Sequence, residues 1–120
     1  MPAKQQSVSS TQELQKRIDA QRLAAKSGEP SAVETASRQV VALALQQMAA
    51  LRSVEHAWPQ AAELYRQSLA LEDNPESRMG LATAAFYAGH TDQALAEIDK
   101  LLATDARSAQ AWHIKGDILM

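Results

Sequence analysis

The sequence predicts an all-α protein, a solenoid of antiparallel helix pairs preceded by extra N-terminal helices. Three observations carry this. Alanine, the strongest helix former, supplies 24 of the 120 residues. Residues that favour strands are scarce, with five aromatics in all. The chain also matches itself when shifted by 33 or 34 positions, a period that points to stacked two-helix units. The same composition argues strongly against a sandwich, a barrel and a Rossmann sheet. Without cysteine there is no disulfide scaffold, Fe–S cluster or cysteine-based zinc site.

Residues 1–10 are polar and aperiodic and read as a disordered lead-in. Residues 11–41 read as an N-terminal helical cap that runs into the first repeat. Ser10 to Glu13 has the spacing of a capping box. It opens a helix over about 11–27, with a thin apolar stripe of Leu14, Ile18 and Leu23, ended by Gly28 and Pro30. Ser31 to Glu34 repeats the capping pattern. It starts a long helix over about 32–54, roughly 34 Å, with Val33, Ala36, Val40, Leu45, Met48 and Leu51 at helical spacing. Pro59 sits in the first turn of a helix over about 58–72. Asn74-Pro75 pairs an N-cap with proline at the first helical position, opening a helix over about 75–88 that Gly89 ends in a left-handed conformation. Thr91 caps a helix over about 92–104. A last helix runs from Ala109 to the end of the sequence, within an apolar pattern.

The self-match is specific. Residues Pro59–Ala70 lie over Asp92–Ala103, with Gln60/Gln93, Ala61/Ala94, Leu69/Leu102 and Ala70/Ala103 identical and Tyr65 over Ile98. At a shift of 34, Ala82 falls on Gly116 and Arg78 on Trp112. From about Ala42 to Met120 the chain resembles the tetratricopeptide repeat family. Its 34-residue helix–turn–helix units follow the pattern W-x2-L-G-x2-Y, then A-x3-F, then P. The resemblance places a first unit at about 42–74 with Ala61-x3-Tyr65. A second lies at about 75–108 with Leu81-Ala82, Gly89 and Ala94-x3-Ile98. A third, incomplete, lies at 109–120 with Trp112-x3-Gly116. Arg78 stands where the pattern has tryptophan, Lys115 where it has leucine, Ala106 where it has proline, and the turn at Glu55-His56-Ala57 has no glycine.

The resemblance implies a right-handed superhelix. Small residues (Ala61, Ala82, Ala94 and Gly116) would sit where helices touch, and Tyr65, Ile98 and Trp112 would fill the holes beside them. It also implies a concave groove lined by the first helix of each unit, holding a peptide or partner helix. The groove positions are Gln46, Ala50 and Ser53, then Met79, Thr83, Phe86 and Tyr87, then His113 and Asp117. Chaperone adaptors of the family grip a terminal carboxylate with lysine and asparagine. This chain has Gln46, Ala50, Met79 and Thr83 at those places, so capture of an acidic C-terminus is not expected.

Little else carries chemistry. His113 and Asp117, one turn apart, are half of a metal site at most, and no other ligand pair joins them; no metal and no cofactor is expected. Asp92, Glu97 and Asp99 read as a solvated acidic face. No phosphate loop, nucleophile elbow or HExxH occurs. The expected function is therefore a non-catalytic scaffold for protein–protein interaction, forming the first part of a longer repeat protein. The alternative is a targeting or regulatory domain of a larger enzyme, such as a glycosyltransferase or peptidase. A net charge of −2 with no basic run argues against nucleic acid as partner. No apolar stretch is long enough to span a membrane. If the chain ends at residue 120, its last helix is uncovered and exposes Trp112, Ile118 and Leu119, and self-association through that edge is then expected.

Overall fold

A computed structural model describes residues 11–120 in full and residues 2–10 as backbone within the first helix. Six helices follow one another: α1 (Pro2–Ser27), α2 (Pro30–Val54), α3 (Trp58–Leu71), α4 (Pro75–Tyr87), α5 (Thr91–Thr104) and α6 (Ala109–Leu119). There is no strand among the described residues. The lead-in expected at residues 1–10 lies outside the fully described residues.

Each helix packs on its neighbour in sequence. In addition α2 approaches α4, and α4 approaches α6. The even-numbered helices thus form one layer. The odd-numbered α3 and α5 lie behind it, bridged by Arg66 donating to Gln93 at 2.9 Å. The radius of gyration is 15.7 Å, against about 14 Å for a compact domain of this length. That elongation is what stacking in one dimension produces.

The helix boundaries show which local signals won. Asn74 accepts from the backbone N–H groups of Glu76 (2.8 Å) and Ser77 (3.3 Å), and Ser108 accepts from that of Ala111 (3.2 Å). Both capping boxes expected nearer the N-terminus fail. Ser10 lies inside α1, and Glu13 turns instead to Arg17 at 3.3 Å. In α2 the cap is Glu29, with Pro30 at the first position and no side-chain cap bond. The proline, with φ already set for a helix, starts α2 ahead of Ser31, and Glu34 pairs with Arg38 at 2.7 Å. Thr91 is likewise inside α5, behind His90.

The two interhelical turns are copies of each other. After α4, Gly89 takes φ +91° and the His90 N–H reaches the Ala85 carbonyl at 2.8 Å. After α2, 33 residues earlier, His56 takes φ +59° and the Ala57 N–H reaches the Arg52 carbonyl at 2.9 Å. Both are Schellman-type ends. A histidine therefore occupies the left-handed position that glycine fills in the second unit.

The core divides by repeat. One cluster joins Ala49, Ala61, Ala62, Tyr65, Leu81 and Ala84; the other joins Ala82, Ala85, Ala94, Ile98, Leu101, Ala111 and Ile118. Ala61, Ala82 and Ala94 are fully buried, as their positions in the repeat require. Tyr65 lies flat on Gly80 of α4, where an added Cβ would come within 2.3–2.7 Å of ring carbons. Gly80 is thus the tight contact of the first junction. Burial raises the pKa of the Tyr65 hydroxyl, and its hydrogen bond to Ser53 opposes this more weakly.

Three expectations are corrected. Gly116 has nothing within 4 Å of an added Cβ, because no helix among the described residues lies against that face of α6. For the same reason Trp112 fills no hole. It is 52% exposed, and its indole N–H donates to the Ala106 carbonyl at 2.8 Å. Ile118, expected on the open edge, is only 8% exposed, since its side of α6 faces the second cluster.

Candidate binding surface

The layer of α2, α4 and α6 carries the residues expected to line a groove. Gln46 on α2 joins two helices. Its amide donates to the Glu76 carboxylate at 3.0 Å and its carbonyl oxygen accepts from the Ser77 hydroxyl at 3.0 Å. Ser77 is buried and lies 3.3 Å from Ser68, whose hydroxyl donates to the Ala42 carbonyl at 2.6 Å. This chain of hydrogen bonds satisfies two buried hydroxyls and fixes α2, α3 and α4 in register. Gln46 is therefore committed to the scaffold as much as to a ligand. Ala50 is exposed.

On α4 the expected residues divide. Met79 and Phe86 are half-buried and pack against the second core cluster. Thr83 is half-buried, and its hydroxyl donates back to the Met79 carbonyl at 3.0 Å, the bond that keeps a hydroxyl content inside a helix. Tyr87 is 59% exposed. Its ring stacks on Trp58 at 4.7 Å between centroids, Trp58 stacks on His56 at 5.5 Å, and Phe86 lies tilted at 5.2 Å from Tyr87. The four rings form a strip across the ends of α2, α3 and α4. On α6, His113 and Asp117 are exposed and 3.6 Å apart. Among the described residues, no hydrogen bond or ion pair joins them to another expected site residue. No group of three potential metal ligands occurs among the described residues.

Sequence reasoning missed Trp58 and His56 as surface residues. The available signal was the repeat itself: the turn bearing His56 overlays that bearing Gly89, which brings the start of α3 beside the end of α4. It also misread Glu97. This carboxylate is 8% exposed and accepts from Arg78 at 2.7 Å, with Lys100 at 3.4 Å. Arg78 in turn holds Asp73 at 2.6 Å, and that contact keeps the Asp73 carboxyl below its ordinary pKa while raising the guanidinium's. At the place where the repeat pattern puts a tryptophan, an arginine joins α4 to α5 by charge.

The match to known proteins agrees with this geometry. A family model described as Tetratricopeptide repeat covers residues 55–118, just over half of the chain. No curated protein matches it. No described helix is long and apolar enough to cross a membrane.

Proposed function

Because the chain belongs to the tetratricopeptide repeat family, whose repeats generally mediate protein–protein interaction, we propose that it is a non-catalytic scaffold. It binds a peptide or partner helix on the face of α2, α4 and α6, along the inside of a right-handed superhelix. The observation that carries this reading is the exposed ring of Tyr87 at the end of α4, stacked on Trp58 from the start of α3. A large, rigid ring of this kind supplies contact area with little entropy left to lose, which is what an interface anchor needs. Met79, Thr83 and Phe86 flank it, and Ala50, His113 and Asp117 form the rim.

Tyr87→Ala tests the reading. Against a peptide selected from a random library, the variant is expected to bind at least about fivefold more weakly, roughly 1 kcal/mol. Stability should fall by under about 1 kcal/mol, as for a surface position. Unchanged binding, or a much larger loss of stability, places Tyr87 outside the interface.

A second surface supports association of two copies. Trp112 and Leu119 are exposed on α6, and among the described residues nothing lies over Gly116, so a helix of a second copy can approach there. Light scattering is expected to show a dimer at high concentration that Gly116→Gln dissociates. A monomer at every concentration contradicts it.

A further inference from the structure

Where the starts of α4 and α6 meet the end of α5 there is a cavity of about 250 Å³. It adjoins the proposed groove, since Glu76 and Met79 lie on α4 and Gln110 on α6. The volume is below the roughly 300–1,000 Å³ of a small-molecule site. It suits a single long side chain. Half-buried Met79 and buried Leu101 give it an apolar wall; Thr104 and Ser108 add hydroxyls, and the carboxylates of Glu76 and Asp105 are exposed to solvent.

Those two carboxylates are free to meet an incoming cation. Among the described residues, nine of the fourteen acidic side chains hold a lysine, arginine or histidine within ion-pair distance. Among the described residues Glu76 and Asp105 have no such partner. Glu76 accepts only from the Gln46 amide, and Asp105 accepts the backbone N–H of Arg107 at 3.2 Å, not its guanidinium. Two helix N-termini also open here and oppose a cation. Each is worth roughly half a positive charge, and the C-terminus of α5 contributes roughly half a negative one. Two full carboxylates outweigh that balance, so the cavity mouth is negative.

We propose that this cavity is a specificity pocket of the groove and takes one lysine or arginine side chain of the bound partner. The aliphatic stem lies on Met79 and Leu101, and the charged head reaches Glu76 and Asp105. A long basic side chain has this division between apolar stem and polar head. The inference rests on the groove reading and adds the chemistry of what the groove selects.

Selection from a random 12-residue phage-displayed peptide library tests both and separates them. The expected result is enrichment of a basic residue at one position of the selected peptides. Such a peptide, synthesised and labelled, should bind the Glu76→Gln, Asp105→Asn double variant at least about tenfold more weakly than the native protein. It should lose the same factor when its own basic residue is changed to glutamine. The Glu29→Gln, Asp92→Asn variant, which removes two carboxylates away from the cavity, should bind it normally. Selected peptides without a basic preference, or basic ones indifferent to the Glu76 and Asp105 substitutions, overturn the pocket and leave the groove standing. A library that enriches nothing overturns the groove reading and the pocket with it.

Discussion

At Gly80 a missing side chain decides how two helices meet. Tyr65 occupies the volume a Cβ would need. Helix propensity and packing therefore disagree about Gly80→Ala. Propensity alone says the change stabilises an exposed helix by about 1 kcal/mol, whereas overpacking costs about 1–3 kcal/mol. The expected outcome is a net loss of stability in denaturant melts; a gain would show that Tyr65 yields readily. The single letters of the sequence were informative where the backbone demanded something specific. Gly89 is left-handed and Ala94 is fully buried, as the repeat implied. Gly80 was not legible, because a glycine inside a helix has no local signature of what lies over it. His56 hid the first turn for a related reason: its positive φ is imposed by the turn it closes, and its residue type gives no hint of it.

At the scale of elements, charge replaces shape at one junction. Arg78 reaches Glu97 across α4 and α5 and Asp73 at the preceding turn. Arg78→Ala removes the main partner of a nearly buried carboxylate and leaves only Lys100 at 3.4 Å. The expected cost is on the order of 2 kcal/mol, below that of a fully buried pair because both side chains retain some water. A loss under about 0.5 kcal/mol would mean that the pair only decorates the surface. Its Asp73 contact has a definite pH sign. A carboxyl held below its ordinary pKa of 3.8 contributes above that value, and the contribution is lost as pH falls through the depressed pKa. The helices themselves were legible from caps, prolines and periodicity. Glu97 was not, since its carboxylate sits on a face that looks solvated until Arg78 is brought over it from the preceding helix. Nor was the failure of the two N-terminal capping boxes, where Pro30 and the length of α1 overrode a local pattern.

Taken whole, the molecule is a stack of two layers, with α2, α4 and α6 in one and α3 and α5 behind it. The groove positions expected from the repeat do lie on α2, α4 and α6, yet they differ in availability. Tyr87, Ala50, His113 and Asp117 are exposed, whereas Met79, Phe86 and Gln46 share their surface with the core or with hydrogen bonds inside the scaffold. Sequence register assigned these residues to a face. It could not say how deeply each is set, because that depends on what other elements bring: the second core cluster beneath Met79 and Phe86, Glu76 and Ser77 beside Gln46, and Trp58 against Tyr87. The same register overestimated the open edge, where α6 turns Ile118 inward and leaves Trp112 and Leu119 out.

The claim that the even-numbered helices form the recognition face is tested most directly by amide chemical-shift mapping. The ¹⁵N-labelled protein is titrated with a library-selected peptide. Perturbations are expected to concentrate on α2, α4 and α6, at Ala50, Met79, Thr83, Tyr87 and Asp117, with the outward residues of α3 and α5, such as Gln67 and Ala96, unmoved. Perturbations centred on α3 and α5 would contradict it.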